Sequence, residues 1–432
     1  MTQALFQSAA VPRLNAPTLH RLPNGLTIAA ERMPVEAVNL SLWLGIGSAV
    51  ESDPINGMAH FLEHMIFKGT AHLESGEFER LIEQRGAVTN AATSQDYTHY
   101  YITTAPKDFA ELAPLQVEVV MNAAIPDEAF ERERFVILEE IRRANDNPRR
   151  RTFYRSMDLA FEQLPYRRPV LGPAAVVEQL TPQQMRDFHS TWYQPQSITA
   201  VAVGNLPVEE LIQTVADSFA KAETRAGLVG DRLPTFPSLS PESAFPTIQR
   251  QEYVDSSLQQ ARLVMVWRVP GTVSLQETYA LDILASVLGQ GRTARLFRDL
   301  REERELVTGI SVSNMTYTQQ GLFYISAQLP VENLEVVEAA IAQHIRTIQT
   351  EPISESEIAR IRTLVANRYI FASETPGDRA GLYGYYQSVV GDLAPALNYP
   401  AHIRALDAAD LQTAAQQHLS PEAYGVMTIK PG

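Results

Sequence analysis

Residues 100–120, "YYITTAPKDFAELAPLQVEVV", return in changed letters at residues 323–341 as "FYISAQLPVENLEVVEAAI". Each stretch reads as an alternating strand, a proline turn and an amphipathic helix. The pairing continues outward. "IPDEAFERERFVILEEIRR" from Ile125 is answered by "PISESEIARIRTLVANRYI" from Pro352. Both open with helix-start residues, Asp127 in one and Ser354 with Glu357 three later in the other. "LTPQQMRDFH" from Leu180 is answered by "LDAADLQTAA" from Leu406, with Thr181 and Asp407 as caps. Both series finish on a β-rich run, "SITAVAVGN" and "AYGVMTIKPG". The three pairs are offset by 223 to 228 residues. Three matches in one register mark an internal duplication.

Between the copies lies "AGLVGDRLPTFPSLSPESAFPT", with Pro234, Pro237, Pro241 and Pro246. Proline at that density neither continues a helix nor sits in a central strand, so this stretch is a linker. The division is therefore residues 1–220, a Pro-rich linker at 221–246, and a homologous domain at 247–432. Hairpin signals such as "LPNGLTI", with Asn24-Gly25, favour antiparallel pairing. The expected fold class is α+β: two homologous domains, each an antiparallel β-sheet with helices packed mainly on one face.

Bulk properties narrow the function. A net charge of -14 opposes nucleic acid as a partner, because phosphate binding needs a basic face. It suits basic substrates, or simply solubility. The absence of cysteine excludes disulfides, thiolate metal sites and a thiol nucleophile. "MTQALFQSAAVPRLNAPTLH" has no basic region followed by an apolar core, and no run of 18 apolar residues occurs anywhere. The expectation is a cytoplasmic protein without a membrane span.

Chemistry concentrates in "GMAHFLEHMIFKGT", residues 57–70. Read as a helix between Gly57 and Gly69, it stacks His60 and His64 one turn apart on one face. Two imidazoles at this spacing reach one zinc ion. Glu63 then stands beside the metal, available to take a proton from water there. His-x-x-Glu-His is the inverzincin signature. An open catalytic zinc wants a third protein ligand. In "FERERFVILEEIRR", Glu133 and Glu140 are seven apart on one face, while Glu139 points elsewhere; spacing alone does not choose between Glu139 and Glu140.

"GMAHFLEHMIFKGT", "GAVTNAATSQDYTHYYI" and "ERERFVILEEIRRANDNP" together resemble the pitrilysin and mitochondrial processing peptidase family, the inverzincin zinc peptidases. The resemblance is to a single-cassette bacterial type and covers nearly the whole chain, duplication included. It implies one Zn2+ per chain and a third ligand roughly 76 residues after the second histidine, which falls on Glu140. It also implies an accessory acid, Glu133, that orients a histidine or tunes the site. The second copy is an internal control. Leu281, Leu284 and Ala285 stand opposite His60, Glu63 and His64, and Arg368 stands opposite Glu140.

The same resemblance implies that Asn90 and Ala91 belong to an edge strand on which a peptide lies as an added strand. Self-sufficient members carry an arginine and, seven residues on, a tyrosine. In "LREERELVTGI" Arg301 is present, but Thr308 replaces the tyrosine. The expectation is a zinc endopeptidase for unfolded peptides or presequences, with Glu63 as general base. It would be the zinc-bearing subunit of a heterodimer whose homologous partner lacks zinc and carries the arginine–tyrosine pair. A homodimer is second, and a non-catalytic processing-complex subunit of the same fold is the alternative function. "LGQGRTARLF" lacks the ending of a phosphate loop and reads as a turn. "RRANDNPRRR" reads as a helix end, solvated or at an interface.

Overall fold

A computed structural model describes residues 17–226 and 239–432. Most of the opening segment read above for a signal, and the centre of the expected linker, lie outside these residues. Among the described residues eleven strands form two sheets. The first contains β1 (Thr18–Arg21), β2 (Thr27–Arg32), β3 (Val38–Leu44), β4 (Val88–Thr93), β5 (Thr98–Thr104) and β6 (Ile198–Gly204). The second contains β7 (Gln249–Asp255), β8 (Ala261–Pro270), β9 (Gly309–Met315), β10 (Gln320–Leu329) and β11 (Gly425–Pro431).

The spatial orders are β1-β2-β6-β3-β5-β4 and β7-β11-β8-β10-β9. With β1 set aside they are the same order, so the duplication written in the helices holds for the sheets. Pairing is antiparallel except for β2 with β6 and β7 with β11, which are parallel. Each sheet is therefore mixed where pure antiparallel pairing was expected. The exception has a topological cause: β6 and β11 arrive after long helical excursions, and a crossover can deliver a parallel strand where a hairpin cannot. Asn24-Gly25 does turn a hairpin between β1 and β2, with Gly25 at φ 91°.

Helices of the first half, Phe109–Met121, Asp127–Asp146 and Pro182–Trp192 among them, cover one face of its sheet around a core that includes Leu40, Leu42 and Ile102. Leu275–Gly289, Leu334–Thr350 and Ala408–His418 do the same in the second half. The opposite faces are covered by exchange. Helix Pro148–Ala160 of the first half packs Met157 and Leu159 against Val264, Val266 and Met427 of the second sheet. Helix Pro376–Tyr385 of the second half packs Ala380 and Tyr383 against Ala29, Trp43 and Val201 of the first. With both faces covered, β3 and β6 are buried at every position instead of alternating. "RRANDNPRRR" is the joint that starts this exchange. Asn147 caps the outgoing helix by accepting from the Arg149 N–H, and Arg151 pairs with Asp255 at 2.6 Å.

Gly384 marks how closely the exchanged helix approaches. A methyl group there would fall 2.1 to 2.5 Å from indole atoms of buried Trp43. Gly384→Ala should gain about 1 kcal/mol of helix propensity and lose about 1–3 kcal/mol to overpacking. A net loss is expected, read as a lower urea midpoint; a higher midpoint would mean that the exchanged helix has slack.

Candidate metal centre

The histidine helix is Met58–Ile66, nine residues long, so it needs help to be held. Gly57 caps it at φ 100°, a conformation that costs glycine little. The help comes from Glu51, a buried carboxylate that sequence reasoning missed. It accepts from the N–H groups of Gly57 (2.9 Å) and Ala59 (2.7 Å) and from Asn56 Nδ2 (2.8 Å). Nothing in a loop glutamate seven positions before a helix announces that role. Burial pushes the Glu51 carboxyl up to about 7, with those hydrogen bonds opposing the rise. On the far side Phe61 stacks on Phe130 of helix Asp127–Asp146, ring centres 4.4 Å apart. That contact sets the histidines against the glutamates.

Glu140 Oε2 lies 3.6 Å from His60 Nε2 and 3.8 Å from His64 Nε2. These separations are too long for hydrogen bonds. They are close to the ~3.3 Å expected between donors that each stand about 2.0 Å from one tetrahedral ion. One ligand atom from each of His60, His64 and Glu140 lies within 4.8 Å of the others. Burial, then the charges of His64 and Arg150, hold the His60 ring down to about 3, so it is neutral as a ligand must be. Its Nδ1 is buried without a hydrogen-bond partner among the described residues. Two imidazoles and one carboxylate converging in this way fit a metal ion.

Glu139, left open by spacing, faces away. It pairs with Arg142 at 2.8 Å and Arg143 at 2.9 Å, and their hydrogen bonds hold its carboxyl down to about 2. Glu133 faces inward beside Glu140. Its Oε1 is 3.0 Å from His64 Nδ1 and its Oε2 is 2.7 Å from Lys68 Nζ. Burial works to raise its carboxyl, but the hydrogen bonds from His64 and Lys68 prevail and hold it low. This pairing fixes the His64 ring with Nε2 toward Glu140. Lys68, four residues after His64, was missed, although its spacing was a usable signal.

Glu63 lies on the same helix, mostly enclosed, and accepts from Thr93 Oγ1 at 2.5 Å. Burial raises its carboxyl above the ordinary value, with the Thr93 hydrogen bond working against that rise. Thr93 is the last residue of β4, one of the two edge strands of the first sheet, so the acid is tied to that edge directly. Asn90 and Ala91 lie on β4 opposite Tyr101 and Tyr100. Asn90 is exposed, and its Oδ1 accepts from the Ala91 N–H at 2.9 Å.

Among the described residues no hydrogen bond or ion pair links Arg301 to this group. It lies exposed in the π-helical turn Phe297–Glu303, with its guanidinium over the Phe297 ring at 4.7 Å. Thr308 donates to Gln260 Oε1 at 2.7 Å within the second half. Opposite the metal-site residues, Leu281, Leu284 and Ala285 are buried core.

Residues 27–174 match the family described as Insulinase (Peptidase family M16), and residues 179–365 match the one described as Peptidase M16 inactive domain. The chain belongs to peptidase family M16. The M16 inactive-domain match takes in Leu281, Leu284 and Ala285. A Rickettsia bellii relative named an uncharacterized zinc protease is 26% identical over 93% of this chain and 95% of its own length. An Arabidopsis thaliana relative named a probable mitochondrial-processing peptidase subunit beta is 26% identical over 95% of this chain and 77% of its own. A protease from Helicobacter pylori shares the fold with a TM-score of 0.89 at 24% identity, over 96% of this chain and 99% of that one. The periplasmic protease PqqL of Escherichia coli matches with a TM-score of 0.80 at 19% identity, over 98% of this chain and 48% of PqqL. Among the described residues no helix is long and apolar enough to cross a membrane.

The Glu133 pairing predicts a pH signature of the metal-free protein. A carboxyl held below its ordinary value stabilises the fold above that value and loses the contribution as pH falls through the lowered one. Glu133→Gln should therefore cost about 1–3 kcal/mol at pH 7, and the gap to the parent should close on acidification. Urea melts at several pH values test this; a gap independent of pH would remove the charge from the account.

Proposed function

We propose that this M16 protein is a zinc endopeptidase that cleaves unfolded peptides or presequences held as an extended strand. The observation that carries the reading is the convergence of His60, His64 and Glu140 with Glu63 alongside, tied to an edge strand of a sheet. The names of relatives, zinc protease above all, support it at the level of the family.

In this reading His60, His64 and Glu140 hold one Zn2+ in the domain at residues 1–220, which supplies Lewis acidity toward a water and the scissile carbonyl. Glu133 and Lys68 keep the His64 ring in orientation. Glu63 accepts the proton of the attacking water at its carboxylate and delivers it to the leaving nitrogen. Its raised affinity for a proton suits both tasks. The peptide adds to β4 beside Asn90 and Ala91, pairing main chain with main chain, so extended segments are taken and folded ones are refused. The homologous domain at 247–432 serves as scaffold and binding wall.

Transition-state charge needs more than the metal, and Thr308 stands where a phenol is wanted. We therefore place the chain as the metal-bearing subunit of a heterodimer, its homologous partner lacking zinc and carrying the arginine–tyrosine pair. The relative named as a subunit beta, and the match to about half of PqqL, support pairing of such units. A homodimer is the second arrangement.

Metal analysis of purified protein should return one zinc per chain. Glu140→Gln should lose most of it and Glu139→Gln none, although the two are neighbours. Glu63→Gln should keep the zinc and lose peptide hydrolysis by a factor of about 100 or more, followed with a quenched-fluorescent basic peptide. Retained hydrolysis in Glu63→Gln, or equal zinc in both variants, would overturn the reading. If the zinc-loaded chain cleaves only after a homologous subunit is added, the heterodimer stands.

A further inference from the structure

The metal-free half keeps a cavity at the junction that the metal centre takes in the other half. It has a volume of about 400 Å³ and is walled by helix Leu275–Gly289, edge strand β9 and helix Glu355–Phe371. These are the counterparts of the histidine helix, β4 and the glutamate helix. Two of its lining residues, Ala285 and Arg368, stand opposite His64 and Glu140 in the duplication. The ligands are gone and the space remains.

Its wall carries a carboxylate without a counter-charge. Asp282 Oδ1 accepts from Asn314 Nδ2 at 2.8 Å, and Oδ2 accepts from the Tyr399 hydroxyl at 3.0 Å. Among the described residues no cationic side chain reaches ion-pair distance of it. Burial pushes the Asp282 carboxyl up to about 6, against the hydrogen bonds from Asn314 and Tyr399. Asn314 Oδ1 finds no hydrogen-bond partner among the described residues, but it is too deeply buried for a group in the cavity to touch. The amide cannot turn over to relieve this, since that would set its oxygen against the carboxylate. Tyr399 is flanked by the rings of Tyr369 and Tyr279, at 6.0 and 5.6 Å.

A carboxylate with no counter-charge, in a cavity lined by the rings of Tyr369 and Tyr399, describes a site for an organic cation. A metal ion does not fit. Three ligand atoms of the described His, Asp and Glu residues converge at His60, His64 and Glu140, and not here. A guanidinium wants two parallel acceptors on one carboxylate, and both Asp282 oxygens already take a hydrogen bond from different sides. A compact ammonium can approach the lone pairs that remain on Asp282.

We propose that this cavity binds the ammonium group of a lysine side chain, with the Asp282 carboxylate as acceptor. The assignment of that lysine to a peptide on its way to the metal centre rests on the peptidase reading; the ammonium site does not. Arg368, exposed at the rim and bonded to Gln290, is then an opposing charge at the entrance.

The test is binding of Nα-acetyl-lysine N-methylamide to the full chain by titration calorimetry, with and without zinc, beside the norleucine and arginine analogues. The lysine compound should bind equally well in both metal states, at least ten-fold more tightly than either analogue. Asp282→Asn should weaken it ten-fold or more. Arg368→Gln, on the surface and safe for folding, should tighten it about three-fold or more. Equal binding of norleucine, tighter binding of arginine, unchanged binding in Asp282→Asn, or weaker binding in Arg368→Gln would each overturn the proposal. None of these readings depends on hydrolysis, so loss of the peptidase reading would leave them intact.

Discussion

Both sheets have two apolar faces, and each half of the chain covers only one of them with its own helices. The remaining faces are closed by exchange: Pro148–Ala160 lies on the second sheet and Pro376–Tyr385 on the first. Neither half can leave the other without uncovering Val201 and Trp43 on one side or Val264 and Met427 on the other. At about 25 cal/mol for each Å² of apolar surface, exposing several such side chains would cost most of an ordinary domain's stability. The polar contacts across this boundary follow the same reciprocity. Glu31 of β2 takes the Tyr383 hydroxyl at 2.7 Å, and Asp96 takes the Thr318 N–H at 2.8 Å.

The candidate metal centre depends on that closure at one remove. The glutamate helix, Asp127–Asp146, runs almost without a break into the exchanged helix, with Asn147 and Pro148 as the hinge. Its orientation is thus set at one end by the second sheet and at the other by Phe130 against Phe61. The histidine helix, too short to hold itself, takes its position from that ring contact and from the Glu51 cap. Glu140, Glu133 and the two histidines meet because two helices are clamped from outside the site.

One scaffold has met two chemical fates. In the first half the junction of helix, edge strand and helix is filled by imidazoles and carboxylates around a common centre. In the second, leucines stand in the core and a guanidinium takes the place of the ligand carboxylate. What is left is a cavity with a single carboxylate held by neutral donors. Duplication preserves backbone geometry far more readily than side-chain chemistry, so a vacated position is a ready place for a different ligand.

The duplication, the α+β class and the histidine helix were legible in the sequence because each rests on local periodicity and on caps a few residues apart. Thr181 with Gln184, Ser354 with Glu357 and Asp407 with Asp410 make their capping contacts where the residues stand. Spacing also narrowed the third acid to two neighbours. It could not separate Glu139 from Glu140, because a helix turns by only 100° per residue and what each faces depends on which neighbour the helix packs against. The parallel strand pairs, the Glu51 cap, the Thr93 contact to Glu63 and the exchange of helices are all relations between residues far apart in the chain. No pattern within a segment encodes them. The sequence by itself determined the repeated elements and the residue types able to bind a metal. Tertiary structure alone decided which of them meet, because that choice is made by the burial of two-faced sheets.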